Sequence, residues 1–155
     1  MPKRLLIPVA INGVAHPNPV PGGINYALRL AQAGEAMEVC LLYLTSPHAP
    51  SHSIWHFATE QAHLNDTCQH GKHLLEETAA VLRQATIPCR QLIKESDPLR
   101  GILETAEELQ CTEIVAPSPS FWERFVPSLW QRLQRSARSI PVTLVGAQGQ
   151  AERGF

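Results

Sequence analysis

Short runs of apolar residues alternate along this chain with stretches where apolar side chains recur every three or four positions. Five runs are nearly continuous: Arg4 to Val9, Met37 to Leu44, Ile87 to Lys94, Glu113 to Ala116 and Ile140 to Val145. Such runs predict strands buried on both faces. Pro8 is tolerable because it falls near the end of the first run. Between the runs lie helical stripes. Ile24, Ala27, Leu28, Leu30 and Ala31 form the first, with Gly34 as its stop. Phe57, Leu64, Cys68, Leu75 and Leu82 mark a long helix from about Ile54 to Ala85. Ile102, Leu103, Ala106 and Leu109 form the third, opened by Ser96-Asp97-Pro98, a polar cap followed by proline at the first helical position. Phe121, Phe125, Leu129 and Leu133 predict a helix from Phe121 to Ser139. Ala10 to Gly23 and Thr45 to Ser53, rich in Gly, Pro, Asn and Ser, read as loops.

Strand and helix alternate from end to end, which specifies an α/β fold: an open five-stranded parallel sheet with helices on both faces. Residues 1–146 make one domain, and the polar, Gly-rich residues 147–155 read as a frayed tail. In such sheets ligands bind beyond the C-terminal ends of the strands, where the strand order reverses. Here that means the loops after Val9 and after Val115. The second is unusual, because Ile114-Val115-Ala116 runs into Pro117-Ser118-Pro119-Ser120. A phosphate cradle needs backbone N–H groups and freely turning glycines, and proline has no N–H and a fixed φ.

Composition narrows the functional classes. The 155 residues carry a formal net charge of −1, which argues against a dedicated nucleic-acid binder and against a membrane-surface protein. No apolar run approaches the ~18 residues of a membrane span, and the start of the chain reads as a first strand rather than a secretory signal. Cys40, Cys68, Cys89 and Cys111 form no C-x-x-C pair and read as small buried hydrophobes in a reducing compartment. A cytoplasmic location is the expectation.

Catalytic signatures are absent: no G-x-S-x-G, no P-loop, no H-E-x-x-H. The expectation is therefore a non-enzyme. His52, His56, His63, His70 and His73 fall in or just before the long helix, with His56, His63 and His70 on one side and Asp66 within a turn of His63 and His70. His63, Asp66 and His70 are the metal-ligand candidates. His63 and His70 stand about 10.5 Å apart along the helix axis, too far to share one ion at about 2.1 Å. A solvated histidine face is the favoured reading, and a metal- or pH-responsive face the alternative. Trp55, Trp122 and Trp130 read as packing residues. Arg124, Arg132, Arg135 and Arg138 read as a solvated basic face.

Five segments together resemble the universal stress proteins: Lys3 to Val9, Tyr26 to Ala31, Asp97-Pro98 with Ile102 to Leu109, Ile114-Val115 and Ile140 to Val145. The resemblance covers nearly the whole chain. It implies strand order 3-2-1-4-5 (the adenine nucleotide alpha hydrolase-like arrangement) and a homodimer, often built by pairing the last strands. Ile140, Val142 and Leu144 would then form the dimer edge.

ATP-binding members of that family carry an Asp after the first strand, a G-x-x-G after the fourth and a later Gly-Ser or Gly-Thr. Here the Asp position falls on Ala10. The glycine positions fall near Pro117 and near Pro119 or Ser120, and the late pair on Pro127-Ser128. The loop after strand one is also long and carries Pro17, Pro19 and Pro21. Hydrogen bonds to charged groups are worth about 1.5–3 kcal/mol each. Losing two or three weakens binding by about two to six powers of ten. No cofactor is expected, ATP being considered and disfavoured. Ser118, Ser120 and Ser128 read as helix-capping and turn hydroxyls, with a weaker anionic ligand as the alternative. The expected function is a stress-response or regulatory module acting as a homodimer and through an unidentified protein partner. The alternative from another class is a nucleotide- or anion-binding protein with a rewired strand-four loop.

Overall fold

The computed structural model describes residues 3–11, 14–15, 22–45, 57–117, 129–136, 140–145 and 151–152. Strands β1 (Lys3–Ile11), β3 (Met37–Thr45), β4 (Cys89–Glu95), β5 (Glu113–Pro117) and β6 (Val142–Val145) run parallel in the order β4-β3-β1-β5-β6. Numbered among themselves these five strands have the order 3-2-1-4-5, as the resemblance implied. Two short strands join antiparallel: β2 (Val14–Ala15) beside β1 and β7 (Ala151–Glu152) beside β6.

Among the described residues four helices connect the strands: α1 (Gly22–Gln32), α2 (Phe57–Gln84), α3 (Pro98–Glu108) and α4 (Leu129–Ser136). Because side chains alternate across a strand, the parallel runs feed two separate cores. Leu5, Ile7, Val39, Leu41 and Tyr43 pack with Ile24 and Ala27 of α1 and with Leu75, Ala79 and Leu82 of α2. Leu6, Cys40, Leu42 and Leu44 pack with Ile102 and Ala106 of α3 and with Leu129 and Leu133 of α4. The unbroken apolar runs thus serve a sheet covered on both sides.

The helix ends follow local rules. The Asp97 carboxylate accepts from the Arg100 amide at 3.3 Å, with Pro98 at the first helical position. After α1, α2 and α3 the chain turns through Gly34 (φ 86), Thr86 (φ 60) and Gln110 (φ 54). At each end the next amide reaches back to a carbonyl in the last turn: Glu35 to Leu30, Ile87 to Leu82 and Cys111 to Ala106. These are Schellman closures. Only the first has the glycine that makes a left-handed residue inexpensive.

Three expectations change. The first strand does not stop at Val9. It bulges between Pro8 and Ala10 and continues to Ile11, a local irregularity that accommodates the missing Pro8 N–H. The loop expected from Ala10 onward instead folds back at once as β2. The tail expected to fray contributes β7, which pairs at Leu144↔Glu152 and Val145↔Ala151. Residues 118–128, including the start of the expected fourth helix, lie outside the described residues. Among the described residues, no helix is long and apolar enough to cross a membrane.

Candidate functional site

Topology places the candidate site. From β1 the chain moves to β3 on one side, and β5 later pairs on the other. The order therefore reverses at β1, and the crevice lies beyond the C-terminal ends of β1 and β5. Those strands pair only at Leu5↔Glu113 and Leu6↔Ile114, whereas β1 stays with β3 as far as Ala10. The two strands part, as a ligand crevice requires.

The crevice is bordered by this chain's own hairpin. Ala10 pairs with Tyr43 of β3 on one edge and with Ala15 of β2. A strand has two edges, so β2 takes the edge facing β5. Carried on, the β1–β5 register brings Pro117 level with Val9. The β2 pairings, Ala10↔Ala15 and Ile11↔Val14, begin just past that level. β2 thus continues the line of β5 across the mouth of the crevice. The backbone of Ala10 is committed to sheet pairing, and its methyl group offers no acceptor to a ribose or an amine.

The helix that opens onto the crevice is packed close. A Cβ placed on Gly23, in the first turn of α1, would stand 2.9 Å from Ile7 Cγ2 and 3.5 Å from Val115 Cγ1. The start of α1 therefore lies directly on the residues where β1 and β5 diverge. On the other wall, Pro117 is paired with Val145 of β6 and has no amide hydrogen to offer. The positions Ser118, Pro119, Ser120, Pro127 and Ser128 lie outside the described residues.

The remaining candidates are scattered. His63, Asp66 and His70 lie in α2, on a stretch whose side chains are outside the described residues. His73, further along, is exposed and pairs with Glu77 at 2.9 Å. Among the described residues no three His, Cys, Asp or Glu side chains gather as a metal cluster. Ile140, Val142 and Leu144 belong to the second core, Leu144 buried and the others packed against it. β7 pairs along the outer edge of β6 at Leu144 and Val145, and Ile140 and Val142 remain partly exposed.

Two features escaped the sequence reading. An open groove of about 580 Å³ lies between the ends of α1 and α2, lined by Ala31, Gly34, Glu35, Glu38, Thr86 and Pro88. It is at the opposite end of the sheet from the crevice. Its acidic groups are paired, Glu35 with Lys3 and Glu38 with Arg4 and Arg90. The second is Tyr26 of α1, half-buried and near Glu113 of β5. Burial, then the negative charge and hydrogen bond of Glu113, push its phenol up to about 12, against a smaller opposing bond with Thr143 of β6. The β1–β2 hairpin itself had a signal: Asn12-Gly13 lies between Ile11 and Val14, the dipeptide most typical of two-residue hairpins.

Against known proteins, no family model and no curated sequence matches the chain. Solved structures do. A universal stress protein from Lactobacillus plantarum matches with TM-score 0.71 at 16% identity, over 92% of this chain and 97% of that one. One of the universal stress protein family from Burkholderia pseudomallei gives 0.62 at 20% identity, over 90% and 94%. A family protein from Arabidopsis thaliana, solved with AMP bound, gives 0.61 at 16% identity, over 94% and 92%. The chain therefore has the universal stress protein fold.

Proposed function

We propose that this chain is a universal stress protein-type regulatory module that works without a catalytic reaction and without bound ATP. One observation carries the reading: β2 is paired along the crevice-facing edge of β1 at Ala10, where the resemblance would put an acidic anchor. Pro117, at the first glycine position, adds to it. Together they withdraw both halves of a nucleotide site, the acceptor for the sugar and the amides for the phosphates. The output then rests on protein contacts. A homodimer through the β6 edge would use the backbone of Val142 and Thr143, which β7 leaves unpaired among the described residues.

Isothermal titration with magnesium–ATP and with AMP tests the reading. The expected result is no saturable heat below about 1 mM ligand, weaker than −4.1 kcal/mol of binding. A micromolar dissociation constant overturns it. The competing reading, a nucleotide-binding module with a rewired β5 loop, is favoured by the AMP-bound relative of the same fold, and the same titration decides between them.

A further inference from the structure

We infer that β7 is a releasable strap: it holds the outer edge of β6 within one chain and gives way when a second copy of this chain pairs there. The inference rests on the β6-edge homodimer of the reading above, and not on the absence of ATP.

The backbone of β6 decides what its outer edge can offer. The Ile114 amide donates to the Pro141 carbonyl, so Pro141 faces β5. Backbone groups alternate between the two edges of a strand. Thr143 and Val145 therefore also turn their amides and carbonyls towards β5, while Val142 and Leu144 turn theirs outward. β7 lies antiparallel on that outer edge, with Leu144 opposite Glu152 and Val145 opposite Ala151. Leu144 and Glu152 are then the pair that exchanges amide–carbonyl bonds, and Val145 and Ala151 the pair that does not. β7 thus takes one of the two outward-facing residues of β6 and leaves Val142 open among the described residues.

A second copy fits the same edge by symmetry. Two identical antiparallel strands related by a twofold axis normal to the sheet set each residue against one an even number of positions away, because opposed side chains share a face. Centred on Thr143, this pairing puts Val142 against the second copy's Leu144 and Thr143 against its own counterpart. Both outward residues of each strand then exchange hydrogen bonds, and threonine pairs are favourable across strands. Any register that uses more of β6 than Val142 needs Leu144, and β7 holds Leu144. The strap and the second copy therefore compete for one backbone position.

The two competitors differ in kind. Three of the four β6 residues are β-branched, the strand-forming type, whereas β7 consists of alanine and glutamate, both depleted in strands. A second β6 is the better mate. β7 has proximity instead: residues 146–150 tether it to Val145, which sets an effective concentration on the order of millimolar. In dilute solution the strap covers the edge and blunts its tendency to pair at random. Rising protein concentration passes the edge to the second copy.

Sedimentation of the full chain tests this. Glu152→Pro removes the amide that meets Leu144, and its dimer dissociation constant should fall by about tenfold, or about 1.4 kcal/mol. Val142→Pro removes only an outward amide, a place where a strand tolerates proline, and should leave both backgrounds monomeric. Amide exchange on the wild-type chain gives a readout without a variant: Val142 should gain protection as concentration rises, and Leu144 should be protected throughout. Equal constants for wild type and Glu152→Pro, with Val142→Pro monomeric, overturn the strap and keep the dimer. A dimer weakened by Glu152→Pro also overturns it, because β7 would then supply the contact. Dimers that survive Val142→Pro, or a Val142 amide unprotected at every concentration, remove the β6-edge dimer and the strap with it.

Discussion

Ala10 pairs with Ala15, five residues along its own chain, on the edge of β1 that faces the sheet's reversal point. That pairing converts a place where ligands usually sit into a continuation of the sheet. It also changes what a substitution at Ala10 can do.

In a preformed nucleotide site, adding one charged acceptor would be worth about 1.5–3 kcal/mol. Here Ala10→Asp should change ATP affinity less than about threefold, about 0.7 kcal/mol, because the backbone there is held in the hairpin and Pro117 still lacks an amide hydrogen. Titration calorimetry of the variant checks this. A gain of a hundredfold would mean that the hairpin opens.

Gly23 is where α1 rests on the diverging strands. With Ile7 Cγ2 only 2.9 Å from the position of a Cβ, Gly23→Val must displace the helix or the Ile7 and Val115 side chains. Overpacking of this kind costs about 1–3 kcal/mol. Urea unfolding should show a lower midpoint with an unchanged slope. An unchanged midpoint would mean that α1 is free to lift.

Thr86 holds φ 60 at the end of α2, where a β-branched residue is strained. Its side chain is exposed, so little packing is lost on truncation. Thr86→Gly should therefore stabilise the protein by about 0.5–1 kcal/mol. Thermal unfolding should rise by about 1–4 °C. A fall would show that the Thr86 hydroxyl or methyl makes a contact worth more than the strain.

Tyr26 sets an alkaline limit. Its phenol is raised from 10.0 to about 12 in the folded chain by burial first and Glu113 second. Below pH 10 both states keep the proton, and the contribution is complete. Between pH 10 and pH 12 the unfolded chain has released the proton and the folded chain has not, so stability falls as pH rises. Tyr26→Phe should flatten that slope relative to wild type in denaturant titrations at successive pH values. Parallel slopes would remove Tyr26 from the alkaline transition.

Much of this architecture was legible because its causes are local. Leu5, Leu6 and Ile7 are apolar in succession because β1 is covered on both sides, and Asp97-Pro98 announces α3 by cap chemistry alone. The β1–β2 hairpin was also legible, in Asn12-Gly13, but the neighbouring prolines and glycines outweighed it. Other features carried no local mark. Ile140, Val142 and Leu144 alternate as an edge strand would, yet alternation does not say whether the outer edge will be met by a partner or by Ala151–Glu152 of the same chain.

From the chain alone came the alternation of strand and helix, the two-sided burial of the sheet and the absence of suitable donor and acceptor groups at Pro117 and Ala10. Those follow from residue chemistry and from periods of two and 3.6, which act between near neighbours. Tertiary structure decided which edge of β1 receives β2 and what lies beyond β6. Such pairings depend on which distant surfaces bury each other best, and no short-range pattern encodes that choice.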